Sequence, residues 1–305
     1  MTDKEVIKGR ILAELDRGDI TAREAAVRLR RSERHVWRML ARYRQVGVES
    51  LAHGNRGRRP RSATDDITRA RVLELARTKY AGFNQQHFTE KLNEQEGIVI
   101  SRPTVRRMLV GEGITSPRKR RPKKYRRRRE RRAREGQMML LDGSEHDWLE
   151  GRGHRLTLLG AMDDATGTVA GALFREHEDA TGYFLLMEPI VVHQGMPESA
   201  YSDRHSIFVH TTNKEQTLAE QLEGRKRPTQ FGLLMEELGI ETIFALSPQA
   251  KGRIERLWGT FQDRLVSELR LAGATTEAEA QRVLDKFVVK FNRQFGVQPA
   301  EAHTG

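Results

Sequence analysis

Hydrophobic positions in the first third of the chain recur at helical spacing and form two groups of short predicted helices. Between residues 4 and 45 the spacing predicts three helices. The sequence Thr21–Glu24 has the form of a capping box that opens the second helix, and Ser32 is placed to cap the third. The apolar face predicted for this third helix is formed by Val36, Trp37, Leu40 and Tyr43.

A second helical group is predicted between residues 67 and 109. Apolar positions in residues 67–75 and 83–92 each indicate a helix. The third helix begins after Ser101, a capping residue, and carries Pro103 in its first turn, where the missing N–H does no harm. The first 115 residues therefore predict two all-α units of three helices each.

The pattern changes at residue 137, where short apolar runs replace the helical periodicity. These runs predict three strands, then a helix over 180–193, a short strand over 200–202, a helix over 230–238, a strand over 240–246 and two further helices. The first three strands are predicted to form an antiparallel meander, with a turn at Asp163–Gly167 between the second and the third. The order βββ-α-β-α-β-α implies a mixed α/β sheet of five strands with helices packed on it.

Charge divides the chain in the same place. Residues 1–136 contain 37 Lys/Arg and 17 Asp/Glu, whereas residues 137–305 contain 17 and 25. A basic front half joined to an acidic back half suggests a polyanion-binding region next to a carboxylate-rich site that needs cations. Two domains that differ in charge by chance are the alternative.

The two helical units are interpreted as helix-turn-helix DNA-binding domains, because the last helix of each exposes basic residues. The alternative for either unit alone is a plain three-helix bundle with a solvated basic face. The residues expected to contact DNA from these helices are Arg34, His35, Arg38, Arg42, Arg102, Arg106 and Arg107.

Two Arg-rich stretches without apolar periodicity are predicted to be linkers. The first, residues 52–63, follows a DNA minor groove or serves as a plain tether. The second, residues 117–136, includes thirteen Lys/Arg between positions 118 and 134, and is expected to bind phosphates with little sequence preference. The linker residues expected to contact DNA are Arg56, Arg58, Arg59, Arg118, Lys119, Arg120, Arg121, Lys123, Lys124, Arg126 and Arg127.

The chain contains no cysteine, which excludes disulfides, Cys-ligated zinc and a thiolate nucleophile. No signal peptide is evident, and no apolar run approaches the roughly 20 residues that span a bilayer. We therefore expect a cytoplasmic protein that does not enter membranes.

Three segments of the back half resemble the motifs of one enzyme family. Ser247–Arg256 resembles the Pro-Gln, Gly, Glu-Arg motif around the third acid of retroviral-integrase-like cores, while Leu141-Asp-Gly143 and Tyr201-Ser-Asp203 resemble the contexts of the first two. Together with the stretches His146–Gly153 and Ser202–Phe208, they make the whole chain similar to bacterial insertion-sequence DDE transposases. The resemblance covers nearly all 305 residues.

This resemblance implies an RNase H-like catalytic core with Asp142, Asp203 and Glu255 as catalytic and metal-binding acids. It implies a Mg²⁺-dependent transposase or integrase, a polynucleotidyl transferase that uses two Mg²⁺ ions, with Mn²⁺ as a substitute. In such an enzyme Asp142 bridges the ions, and Asp203 and Glu255 each hold one. Two element ends must be paired, so a homo-oligomer of at least two subunits is expected on double-stranded DNA.

The residues themselves support the two aspartates, because each follows an apolar run where an acid is otherwise costly. Asp163 and Asp164 are the alternatives, although Asp is also favoured in a turn. Glu255 follows Asp203 by 52 positions, which exceeds the compact spacing of the family and makes Asp203 the assignment most open to replacement.

Residues 209–229 are interpreted as a polar insertion near the site that contacts DNA or a second subunit. Lys251, one turn before Glu255, and Arg256 are expected to contact DNA. Near the first two acids, Glu145 and His146 either support Asp142 or belong to a surface loop. His205 either contacts DNA, orients a water molecule or has a structural role.

The expected organisation is a helix-turn-helix domain over 1–51, the linker 52–63, a second helix-turn-helix domain over 64–116, the basic linker 117–136, a catalytic domain over 137–296 and the start of a C-terminal extension over 297–305. The expected function is to bind the terminal repeats of a mobile element, cleave the strand ends and join the 3′-OH to target DNA. The alternatives are a DNA-binding regulator with an inactive core and a structure-selective nuclease.

Overall fold

The computed structural model describes residues 2–52, 63–115, 129–209, 228–245 and 252–302. The chain divides into two compact units, residues 1–65 and 66–305. The first contains helices α1 (Asp3–Asp16), α2 (Ala22–Leu29) and α3 (Glu33–Val46), followed by a 3₁₀ turn at Gly47–Leu51.

The capping residues of the first unit behave as the sequence predicts. The Thr21 side chain accepts a hydrogen bond from the Glu24 backbone N–H, and the Glu24 carboxylate accepts one from the Thr21 N–H. Ser32 caps α3. The expected apolar face of α3 is wrong at one position, because Trp37 is 53% exposed while Val36 and Leu40 are buried. Trp37 directly follows Val36, so it points about 100° away from the buried stripe of the helix.

The second unit begins with α4 (Asp66–Arg77), α5 (Gln85–Glu94) and α6 (Arg102–Gly111), which pack around their own hydrophobic cluster. Ser101 is the N-cap of α6, and a proline lies in its first turn, as predicted. These three helices lie in the same compact unit as the sheet that follows.

The rest of this unit is an α/β structure with strands β1 (Met139–His146), β2 (Leu156–Asp163), β3 (Val169–Arg175), β4 (Ser199–Ser202) and β5 (Glu241–Phe244). Its described helices are α7 (Ala180–Gln194), α8 (Gln230–Glu237), α9 (Ile254–Leu271) and α10 (Glu277–Phe295). The strand order is β3-β2-β1-β4-β5. The first three strands are antiparallel, and β4 and β5 run parallel to β1. The mixed five-stranded sheet with flanking helices predicted from the sequence is confirmed.

Alternating side chains of β1 enter two separate cores, one on each face of the sheet. Met138 and Leu140 pack with α9 and α10, whereas Met139 and Leu141 pack with α7 and α8. The face with α9 and α10 therefore receives the next even-numbered side chain, Asp142, at the point where the apolar run ends.

Candidate active site

Asp142 and Asp203 lie on neighbouring strands at corresponding positions. β1 and β4 are parallel, with Met139 opposite Ala200 and Leu140 opposite Tyr201. Continuing this register by two residues places Asp203, the first residue after β4, opposite Asp142. Neighbouring strands are about 4.8 Å apart, so Asp142 and Asp203 lie next to each other across the two strands.

Asp142 is held by the indole of a tryptophan on α9. Trp258 Nε1 donates a hydrogen bond to Asp142 Oδ2 over 2.9 Å. Gly160 is the partner of Asp142 on β2, and a Cβ atom there would lie 2.5 Å from the Trp258 ring. The missing side chain of Gly160 therefore lets the indole reach across β2 to the carboxylate.

A further carboxylate, Glu178, lies on the other side of β1. A Cβ atom at Gly143 would lie 2.6 Å from the Glu178 carboxyl group, so this acid rests against the strand next to Asp142. The buried Tyr183 hydroxyl donates to Glu178 Oε1 over 2.6 Å. Burial, then Glu178, and then the charges of Asp142 and Asp203 raise the pKa of Tyr183 well above its ordinary value. The phenol therefore remains a proton donor, and both aspartates lie close enough to act on it.

The backbone after β4 orients Asp203. The N–H of His205 donates to Asp203 Oδ1 over 2.9 Å, an Asx-type turn, and the imidazole of His205 is exposed. This turn orients the Asp203 carboxylate at the end of β4 through a backbone N–H. Glu145 is exposed and His146 is half-buried against Trp148.

Glu255 lies in the first turn of α9 with an exposed side chain. It precedes Trp258 by three residues, so both project from the same side of the helix, the side that reaches Asp142. Arg256 is also exposed and lines a cavity with Arg131 and Arg253. Residues 246–251, which include Lys251 and the Pro-Gln pair of the motif, lie outside the described residues.

Carboxylate oxygens are the donors that Mg²⁺ prefers, and Asp142 and Asp203 supply them from adjacent positions, so this pair fits a hard divalent cation. Within the described ranges, no group of three His, Cys, Asp or Glu side chains is close enough to hold a metal ion. The structure thus brings two of the sequence-predicted acids together and places Glu255 on the facing helix.

Asp163 and Asp164, the alternative acids, occupy the turn between β2 and β3 and are buried. Asp163 accepts hydrogen bonds from Thr166 and from the N–H of Gly136. Asp163 is opposite Met139, three residues from the position opposite Asp142, which corresponds to about 10 Å along the strand. The turn therefore does not bring these acids to Asp142.

The predicted DNA contacts on the two helical groups are at the protein surface. Arg34, Arg38 and Arg42 are exposed on α3, where His35 is half-buried. On α6 the exposed arginines are Arg102, Arg106 and Arg107. The predicted contacts at Arg56, Arg58 and Arg59, and those at Arg118, Lys119, Arg120, Arg121, Lys123, Lys124, Arg126 and Arg127, lie outside the described residues. Residues 210–227, most of the predicted insertion, also lie outside them.

Three residues beside the acids were not predicted from the sequence. Trp258 has the spacing of a core residue on an amphipathic helix, and Tyr183 lies in an apolar helix. The third residue is Glu178, which approaches β1 at Gly143. Gly143 was an available signal, because a glycine inside a strand often marks the close approach of another group.

No helix within the described ranges has the length and apolar character needed to cross a membrane. A family model described as a Homeodomain-like domain matches residues 35–109. These residues run from α3 to α6, so the match covers the helices that expose the predicted DNA-contacting arginines.

Solved structures similar to this chain include the catalytic core domain of BIV integrase, which is 17% identical, covers 53% of this chain and 88% of that one, and has a TM-score of 0.37. The HTLV-2 integrase catalytic core domain in complex with magnesium is 13% identical, covers 55% and 92%, and has a TM-score of 0.38.

Two bacterial relatives match almost the whole chain. The Sinorhizobium fredii protein named "Putative transposase y4bF" is 35% identical over 302 residues, which are 99% of this chain and 64% of that protein. The transposase for insertion sequence IS1202 of Streptococcus pneumoniae is 32% identical over 329 residues, with 96% of this chain and 68% of that protein covered. This chain thus spans about two thirds of the length of each relative. With this identity to the IS1202 transposase over more than two thirds of its length, the chain belongs to the insertion-sequence transposases.

Proposed function

We propose that this protein binds the terminal repeats of its own mobile element, cleaves the strand ends and joins the freed 3′-OH to target DNA. The observation that carries the proposal is the position of Asp142, within β1, beside Asp203, directly after the parallel strand β4, on the sheet face that packs against the helix carrying Glu255. Clustered carboxylates repel one another unless cations or protons are near, so such a site favours cation-dependent chemistry on a polyanion.

Asp142, Asp203 and Glu255 are the residues that would hold Mg²⁺. When bound, the ions activate the attacking oxygen and stabilise the leaving oxygen of a phosphodiester. Trp258 donates a hydrogen bond to one oxygen of Asp142 and so orients this carboxylate. The turn at His205 orients Asp203 in the same way through a backbone N–H.

DNA recognition is assigned to the exposed arginines of α3 and α6. Two separate DNA-binding helices, α3 and α6, suit a long terminal-repeat sequence better than a short one. The basic segment 118–134 adds sequence-independent affinity through contacts with phosphates. Two element ends must be brought together before joining, so the working form is a homo-oligomer of at least two subunits on DNA. Target DNA is the second nucleic-acid partner.

The proposal is tested with duplexes that the protein itself selects from a randomised pool, which defines the end sequence. Cleavage and joining on that duplex are then followed with Mg²⁺ and with Mn²⁺. Asp142→Asn, Asp203→Asn and Glu255→Gln are each expected to abolish both reactions and retain duplex binding. Glu237→Gln, an exposed acid at the end of α8, is the matched control and should keep full activity. Full joining by any of the three variants would contradict the assignment of that acid.

A further inference from the structure

Asp164 joins three separate parts of the chain. Its Oδ1 accepts hydrogen bonds from Arg253 Nη1 and Arg129 Nη2, both over 2.5 Å. Its Oδ2 accepts from the N–H of Arg132 over 2.9 Å and from Arg129 Nη1 over 3.2 Å. Arg253 Nη2 also donates to the Arg129 carbonyl over 2.6 Å. We call Asp164, Arg129 and Arg253 the arginine clamp.

The clamp is fully desolvated at its centre. The Asp164 side chain has no exposed surface and that of Arg253 is 13% exposed. A buried carboxylate between two guanidinium groups is stable only with this geometry, and removal of one partner leaves an uncompensated buried charge. The arrangement is therefore well defined, because any shift of Arg253 separates charges in a medium of low dielectric constant.

The clamp is attached to both sides of the candidate active site. The N–H of Asp164 donates to the carbonyl of Met138, directly before β1, the strand that carries Asp142. Arg253 is the residue directly before α9, and its carbonyl accepts the N–H groups of Arg256 and Leu257 in the first turn of the helix. Glu255 lies in this turn. The clamp thus connects the strand of the first acid to the helix turn of the third acid.

We propose that Asp164 is a positioning residue for strand cleavage and joining: through Arg253 it sets the first turn of α9, and with it Glu255, relative to Asp142. This inference rests on the proposed function for its catalytic consequence, but its structural part can be measured without activity. Arg129 and Arg132 belong to the basic segment 118–134.

The test compares Asp164→Asn with Asp163→Asn. Both residues are buried aspartates of the same turn, but Asp163 contacts Thr166 and a backbone N–H rather than Arg253. Hydrogen exchange is measured in the metal-free protein. Asp164→Asn should accelerate exchange of the amides of residues 256–258 by roughly tenfold or more, with little change at the C-terminal end of α9. Asp163→Asn should leave exchange in this turn as in the unsubstituted protein.

The second readout is kinetic. Asp164→Asn should lower kcat for cleavage by roughly 100-fold, because a displacement of about 1 Å in a catalytic group has this effect, and should leave the Kd for the end duplex unchanged. Arg253→Gln should behave like Asp164→Asn, and the double variant should lose no more than either single one. Asp163→Asn should keep kcat after correction for its folded fraction.

Unchanged hydrogen exchange at residues 256–258 in Asp164→Asn would overturn the positioning role of Asp164, whatever the catalytic activity of the variant. Equal loss of kcat in Asp163→Asn and Asp164→Asn would also overturn it, because the effect would then be general destabilisation. If exchange rises as expected but the unsubstituted protein cleaves no duplex, the clamp is upheld and the proposed function fails.

Discussion

The ion pair between Glu90 on α5 and Arg264 on α9 is expected to stabilise the packing of the second helical group against the catalytic helix. Arg264 Nη1 donates to Glu90 Oε2 over 2.7 Å and Nη2 to Oε1 over 3.2 Å, a bidentate pair. The side chain of Glu90 is 13% exposed and that of Arg264 is 9% exposed. The perturbation is Glu90→Gln, which keeps the shape of the side chain and removes its charge.

The magnitude follows from the pKa of Glu90. Burial alone raises this pKa, but hydrogen bonds from Arg264 and two glutamines, with the charge of Arg264, outweigh burial and lower it to about 2. The ordinary value is 4.5, and this lowering of the pKa corresponds to about 3 kcal/mol in favour of the charged form. We expect Glu90→Gln to weaken the packing of α5 and α6 by about 3 kcal/mol at pH 7.

The pH dependence has a definite sign. Because the folded pKa is lower than the unfolded one, the contribution of Glu90 is complete above about pH 4.5 and is lost as the pH falls towards 2. The stability difference between the unsubstituted protein and Glu90→Gln should therefore shrink over this range. The assay is native-state hydrogen exchange of the α5 and α6 amides, since unfolding of several packed groups need not be two-state.

Glu74→Gln is the matched control, because Glu74 forms an exposed pair with Arg71 on α4. Exposed pairs of this spacing contribute little to stability. If Glu90→Gln changed exchange no more than Glu74→Gln, or if its effect were the same at pH 3 and pH 7, the reasoning from the buried pair would be refuted.

Three further predictions concern the candidate active site and the DNA-binding helix α3. Trp258→Phe should keep the apolar packing but lose the donor to Asp142, so kcat for cleavage should fall by about tenfold for a bond of about 1.4 kcal/mol; unchanged kcat at constant duplex Kd would exclude this role. Gly160→Ala should lower the free energy of unfolding by about 1–3 kcal/mol in urea titrations, because its Cβ overlaps the Trp258 ring; a stabilised variant would contradict the packing. Arg38→Ala should reduce the slope of log K against log salt by about one if Arg38 contacts a phosphate, and an unchanged slope and affinity would remove it from the interface.

The elements of the core could be predicted because strand and helix patterns differ in period. The run before Asp142 is buried on both faces, and such a run between turn signals is typical of a central strand. The placement of Asp203 also depended on local information, since its apolar run ends directly before the acid.

Contacts between distant elements could not be predicted in this way. Trp258 has the spacing of a core residue, and its hydrogen bond to Asp142 joins positions 116 apart. Asp163 and Asp164 lie at the turn between β2 and β3, where local propensity favours aspartate. However, only the fold brings Arg253 to Asp164, and no periodic pattern encodes that pairing. Trp37 on α3 shows the reverse error, because an apolar residue at the margin of a helix stripe was counted as core.

The contacts between α5 and α9 also determine where a catalytic fragment can begin. Glu268 on α9 accepts hydrogen bonds from His87 and Lys91, both of them buried, and Asn84 donates to Asp263. A fragment that started at residue 137 would expose this face of α9 and leave its acids and Arg264 without their partners. The smallest stable fragment should therefore begin before α4, near residue 63, so that the second helical group remains part of any fragment made to study catalysis.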